Sequence, residues 1–292
     1  MDLTLLPTFV AFADTLSFTR AARLVHLSQP AVHLHVKRLE EELSVSLYRR
    51  VGRGLELTSE GVALSRFARE TGSRTRAFVA ELRGEAKDPV VLAAGEGAYL
   101  YLLGPALRAH RAPIRLLTRD REGMLDAVRT GVAQLGVAAL EGTPEGLVSH
   151  ALTMVEPMLV MPRTHPLATR RRVRVRDLAG ARMIVPPEGR PHRIAINDAF
   201  RRARAPWEVA IEATGWELTI HFVALGMGLA IVNGCCRLPS SLRGKPIDEL
   251  SGVEYRVVHP RGVRPETMAL VEALRAHAED WREAKDVAWS RR

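Results

Sequence analysis

Residues 28–43 read Ser28-Gln29-Pro30-Ala31-Val32-His33-Leu34-His35-Val36-Lys37-Arg38-Leu39-Glu40-Glu41-Glu42-Leu43. Ser28 is suited to cap a helix, because its hydroxyl accepts a backbone N–H that the first turn leaves unpaired, and Pro30 falls in that turn, where a missing N–H costs nothing. Val32, Val36, Leu39 and Leu43 recur at i, i+4, i+7 and i+11, which is one buried stripe. The opposite face carries Gln29, Pro30, His33 and Lys37, with His35 and Arg38 at its margins. Upstream, Ser17 precedes Phe18-Thr19-Arg20-Ala21-Ala22-Arg23-Leu24, a helix whose two alanines allow close approach. Leu6, Phe9, Val10, Ala13 and Leu16 predict another helix before it. Two helices joined by a short turn, the second with a buried back and a polar front, lay side chains into a DNA major groove.

Downstream, Leu47-Tyr48-Arg49-Arg50-Val51-Gly52-Arg53-Gly54-Leu55-Glu56-Leu57 predicts a small basic hairpin with glycines at its turn, a wing. Thr58 or Ser59 then caps a long helix to about residue 84. It has Leu64, Phe67, Phe78 and Leu82 on one side and many arginines on the other, which suits a linker that pairs with its counterpart in a second subunit. From Asp88-Pro89 the pattern changes to β-rich runs at 90–94, 114–117, 135–139, 158–161, 183–185, 209–211 and 229–232, alternating with helical stretches. That alternation predicts α/β architecture. Arg170, Arg171, Arg172, Arg174 and Arg176 read as a solvated surface.

The chain of 292 residues is long enough for two domains at roughly 100 to 200 residues each. With 47% hydrophobic and 26% charged residues it is neither disordered nor fibrous. The formal charge of +9 favours a polyanionic partner or an anionic small molecule. Residues 1–87 hold 13 Lys and Arg against 10 Asp and Glu, so the placement of charge matters more than its total. Arg20, Arg23, Lys37, Arg38, Arg49, Arg50 and Arg53 are placed to follow phosphates. No apolar run reaches the length of a membrane span and the start lacks a basic leader, so a cytoplasmic protein without membrane association is expected. Two adjacent cysteines, Cys235 and Cys236, make neither a disulfide framework nor a metal site. No nucleophile motif, phosphate loop or metal spacing is present, so neither enzyme chemistry nor a cofactor is expected.

The string Ser17-Phe18, Ala21-Ala22, Leu24, Ser28-Gln29-Pro30-Ala31-Val32, Leu39-Glu40, Leu43, Leu47-Tyr48-Arg49-Arg50, Leu57-Thr58 and Gly61 resembles the LysR-type transcriptional regulators. Further on, residues 125–140, Met161-Pro162 with His165-Pro166-Leu167, and residues 223–232 with Gly226 and Gly228 look like that family's effector-binding half. The resemblance implies an N-terminal winged helix-turn-helix over residues 1–58, a dimerising linker helix over 59–88, and an α/β effector domain over 89–292. That domain would have two subdomains around a cleft, as in periplasmic solute-binding proteins: one of residues 89–162 and 266–292, the other of 163–265. It also implies a homodimer or homotetramer reading an interrupted palindrome in double-stranded DNA, with a small-molecule effector. The sequence departs from the family in having His33 for a usual serine, Ser44 for a glycine and Tyr48 for a phenylalanine.

The candidate DNA-contacting residues are therefore Arg20, Ser28, Gln29, Pro30, His33, Lys37, Arg38, Arg50 and Arg53. Gln29 suits an adenine edge, Pro30 a thymine methyl, and Lys37 and Arg38 guanine or phosphate. His33 is either a base reader or a spacer. The candidate effector-binding residues are Gly97, Ala98 and Tyr99, which follow a strand and open a helix, together with Arg190 and His192 from a facing loop and Thr214 and Trp216 before another helix. Tyr99 is expected to stack on a ligand. Two other readings remain: a solute-binding protein without a DNA function, and a redox-sensing regulator using Cys235 and Cys236.

Overall fold

The computed structural model describes residues 1–52, 54–83 and 88–290. The chain begins with α1 (Leu6–Thr15), α2 (Phe18–Leu24) and α3 (Gln29–Leu43), followed by β1 (Tyr48–Val51) and β2 (Gly54–Leu57), an antiparallel hairpin. Phe9, Phe12, Val32, Val36, Leu39 and Leu47 are fully enclosed in one core. Burying each such side chain is worth about 1.5–3 kcal/mol, which is what holds so small a unit together. The hydroxyls of Ser17 and Ser28 accept the N–H groups of Arg20 and Ala31, starting α2 and α3.

Thr58 caps α4 (Ser59–Leu82) by accepting from Gly61 N at 3.0 Å. Gly61 has no substitute there, because a Cβ would stand 1.9 Å from the Leu47 carbonyl oxygen. Leu64 and Ala68 close the helix-turn-helix core, whereas Phe67, Phe78 and Leu82 stay exposed. The α4 helix also rests on the second half of the chain: Gly131 meets Arg66 and Arg69, and Arg74 donates to the Gly262 carbonyl at 3.1 Å.

The second half opens with β3 (Val90–Ala94) and α5 (Glu96–Ala98), followed by a π turn (Tyr99–Leu103) and α6 (Gly104–Ala109). Then come β4 (Ile114–Thr118), α7 (Arg121–Arg129), β5 (Leu135–Ala139), β6 (Val148–Val155), β7 (Pro157–Pro162), β8 (Ala181–Val185), α8 (Pro191–Ala203), β9 (Trp207–Glu212), α9 (Trp216–Ala224), β10 (Ala230–Asn233), β11 (Leu242–Pro246), β12 (Val253–His259) and α10 (Pro265–Ser290). One sheet has the order β4-β3-β5-β12-β6, with β12 antiparallel to both neighbours. In the other, β9 and β8 pair in parallel and β10-β7-β11 pair antiparallel. Ile184 N to Leu229 O at 2.7 Å and Leu229 N to Arg182 O at 2.9 Å join β8 to β10. The two lobes therefore repeat one plan, three parallel strands with helical crossovers closed by an antiparallel strand.

This topology corrects the subdomain limits read from the sequence. The chain crosses at Glu156, not after residue 162, because β7 pairs with β10 and β11 in the second lobe. It returns before β12, not at residue 266, because β12 is the strand between β5 and β6 of the first lobe. The run at 158–161 marks β7 as a buried strand but not the sheet it joins, and β12, like β6 and β11, is not among the strands read from the sequence; long-range pairing alone places each in its sheet. At the crossing Gly234 N donates to Glu156 O at 2.7 Å. No helix among the described residues is long and apolar enough to cross a membrane.

Candidate nucleic-acid interface and effector cleft

The front of α3 is exposed at Gln29, Pro30, His33 and Lys37, opposite buried Val32, Val36 and Leu39. The Ser28 hydroxyl caps the helix by accepting from Ala31 N at 3.3 Å, which leaves its own O–H as a donor at the start of α3. Thr19 on α2, which the sequence reading passed over, donates its hydroxyl to Gln29 Oε1 at 3.2 Å. That fixes the amide and leaves Nε2 as the donor for a base edge or phosphate. The His33 ring lies 5.0 Å from that of Phe18, which stacks on Phe12 at 4.4 Å and meets Tyr48 edge-on at 5.5 Å. Two of the departures from the family pattern, His33 and Tyr48, thus belong to one aromatic cluster, so the imidazole is held at the edge of the front.

The basic residues differ in their commitments. Lys37 pairs with Glu41 at 3.6 Å, an exposed i,i+4 contact worth a few tenths of a kcal/mol at about 0.3–0.5, which phosphate can replace. Arg38 is held by Glu42 at 3.2 Å and Asp2 at 3.8 Å. Hydrogen bonds from Thr4 keep the Asp2 carboxyl below its usual range, and the Asp2 backbone N–H does the same for Glu42. Arg38 is thereby placed on the flank near the chain start, away from the middle of the front. Arg20 donates to the Thr15 carbonyl at the start of α2. Arg49 pairs across the wing with Glu56, while Arg50 points to solvent from the same strand. Arg53 lies outside the described residues.

In the cleft, Gly97, His192 and Trp216 come together from three elements. A Cβ at Gly97 would lie 2.7 Å from Trp216 Cδ1, and the His192 ring meets the indole edge-on at 5.0 Å. His192 Nε2 bonds the Ile231 carbonyl at 2.7 Å, and burial holds its pKa below the ordinary histidine value. It is a neutral donor there. Polar contacts also cross between the lobes: Arg190 to Asp120 at 3.2 Å, the Tyr101 hydroxyl to Glu217, and the buried Asn233 amide, which donates to the Tyr255 hydroxyl at 3.0 Å. Burial and the bond to Glu217 raise the Tyr101 pKa. Asp120, Tyr101 and Glu217 were missed by the sequence reading. Asp120 alone had a local signal, since it caps α7 by accepting from Gly123 N at 3.1 Å.

Three candidates stand elsewhere. Ala98 is buried in the first lobe's core. Tyr99 packs half-buried on the same core with its hydroxyl 2.7 Å from Leu92 O and 3.1 Å from Leu117 O, so it pins β3 to β4. Thr214 is exposed at the rim. The aromatic face at the cleft belongs to Trp216. Arg193, one turn into α8, is buried against Glu188 at 2.7 Å and Trp207 at 5.0 Å, which leaves Arg190 as that loop's cation at the cleft. Cys235 packs toward the first lobe and buried Cys236 toward the second. Hydrogen bonding to Cys235 and burial push the Cys236 thiol up, which suppresses thiolate formation. No group of three His, Cys, Asp or Glu side chains fit to hold a metal occurs among the described residues.

Comparisons with known proteins agree with this arrangement. Residues 3–62 match the family described as bacterial regulatory helix-turn-helix protein, lysR family, and residues 83–279 match the LysR substrate binding domain. The chain is 32% identical over 250 residues to the HTH-type transcriptional regulator TtuA of Agrobacterium vitis, covering 80% of each protein. It is 31% identical to the regulator IlvY of Escherichia coli K12, covering 80% of this chain and 82% of that one. Its fold matches ArgP from Mycobacterium tuberculosis with a TM-score of 0.70 at 18% identity, over 95% and 97% of the two chains. A full-length OxyR variant from Pseudomonas aeruginosa matches with a TM-score of 0.64 at 22% identity, over 95% and 94%. With a capped recognition helix and wing at one end and a two-lobed cleft at the other, the chain belongs to the LysR family of DNA-binding transcription regulators.

Proposed function

We propose that this regulator acts in the cytoplasm as a homodimer or dimer of dimers on an interrupted palindrome in double-stranded DNA, and that a small-molecule effector in the cleft sets its activity without being turned over. The observation that carries the effector half is the meeting of Gly97, His192 and Trp216 between two lobes joined at Glu156. An effector entering there replaces the Trp216, Arg190–Asp120 and Tyr101–Glu217 contacts with its own and shifts the relative population of lobe orientations. The shift is limited by the effector's difference in affinity for the two orientations. The exposed Phe67, Phe78 and Leu82 of α4 support pairing between subunits, and pairing carries the change in lobe geometry to the spacing of two α3 helices.

The test is fluorescence anisotropy of the full chain on the DNA upstream of its own coding sequence and on a scrambled duplex, across a salt series. Tight binding selective for the upstream DNA is expected. Equal, salt-sensitive binding to both duplexes would reduce the interaction to charge, and no binding at low salt would favour a solute-binding protein instead. Selective binding lost on mild oxidation and regained with thiol would favour a redox regulator, against the suppressed thiolate at Cys236.

A further inference from the structure

Leu34 is 63% exposed on α3. At 3.6 residues per turn it lies almost diametrically opposite the centre of the Val32, Val36 and Leu39 stripe, in the middle of the surface that α3 turns outward. Pro30, one turn earlier, is exposed on the same side, and Lys37 follows one turn later. His33 is drawn to the margin by Phe18, and Arg38 to the other margin by Asp2 and Glu42. Over the first two turns of α3 the centre of the front is therefore apolar; Lys37 stands beside it, and Glu41, its exposed partner at 3.6 Å, follows on the same line toward the far end of the helix.

An exposed leucine on a helix front contributes nothing to the fold. In the major groove the one apolar group on a base edge is the thymine C5 methyl, and polar edges offer an aliphatic side chain no partner. The cationic surroundings, Lys37 on α3 and Arg50 on the wing, complement a phosphate backbone and disfavour an oily protein partner. We propose that Leu34 is a specificity-determining residue that reads a thymine methyl in each half-site, with Pro30 alongside it. The consequence is a fixed thymine at one position per half-site that no hydrogen bond explains. This inference rests on α3 entering the major groove.

The test begins with in vitro selection of duplexes from a random library by the full-length protein. The best sequence is then resynthesised with single thymines replaced by deoxyuridine, which removes the methyl and leaves base pairing intact. Burying one methyl is worth about fourfold in affinity, so one uracil in each of the two half-sites should weaken the wild type by about sixteenfold. Leu34→Ala should bind the thymine and uracil duplexes equally and keep the wild-type salt slope, since the substitution touches no phosphate contact. If no thymine is methyl-sensitive, or if Leu34→Ala retains the full methyl effect, the assignment to Leu34 is overturned while recognition by α3 stands. If selection enriches no sequence, the major-groove reading itself fails, and this inference with it.

Discussion

Ser44 ends α3 with φ 56° and ψ 37°, the left-handed region in which a Cβ is crowded by its own backbone. The resemblance implies glycine at this position, and the geometry supplies the reason. Ser44→Gly is expected to raise the stability of the helix-turn-helix unit by about 0.5–1 kcal/mol, the strain relief being partly offset by glycine's unfolded-state entropy. A higher urea midpoint for the transition that reports on residues 1–58 would check it. His192 gives a prediction of opposite character. Its ring stays neutral in the fold below pH 6.5 while the unfolded chain takes up a proton, so stability is present above 6.5 and is lost as the pH falls toward the depressed folded value. Thermal midpoints at pH 7.5 and 5.5 should differ less for His192→Gln than for the wild type. An unchanged difference would show that His192 is not among the histidines responsible.

At the scale of elements, α4 has two sides with different tasks. Its first half buries Leu64 and Ala68 under the helix-turn-helix, and its second half leaves Phe78 60% and Leu82 70% exposed. Replacing both with glutamate should leave the fold intact and yield monomers by sedimentation velocity at micromolar concentration; persistent dimers would place the subunit contact elsewhere. The α3–wing pair has its own test. Lys37→Ala with Arg50→Ala should weaken binding to every duplex and flatten the dependence of log K on log salt by about 0.9 per phosphate contact removed. An unchanged slope would show that neither side chain meets a phosphate.

On the scale of the whole molecule, two lobes of one plan are tied by two crossings near Glu156, and the cleft between them is spanned by a few contacts. The hydrophobic stripe of α3, the caps at Ser17, Ser28 and Thr58, and the glycine-turned wing were legible in the sequence because each rests on residues within one or two turns of each other. The alternation of strand and helix that makes the second half α/β was legible for the same reason. Of the cleft, Gly97, His192 and Trp216 could be named from the loops and helix starts that carry them. The sequence reading did not find Tyr99 turned to the core, Thr19 holding Gln29, the Asp120 and Glu217 partners, or the places where the chain changes lobes. Each of these depends on residues ten to more than a hundred positions apart, brought together by sheet pairing and lobe packing. By itself the sequence determined the helix-turn-helix and wing, the class of each half and the front of α3, since local periodicity and capping are properties of neighbouring residues; the strands β6, β11 and β12 were not read from it. Only the tertiary structure decided which strand joins which lobe, which candidates face the cleft, and that His33 and Arg38 are drawn to the margins of α3, since those follow from long-range contacts that no local pattern encodes.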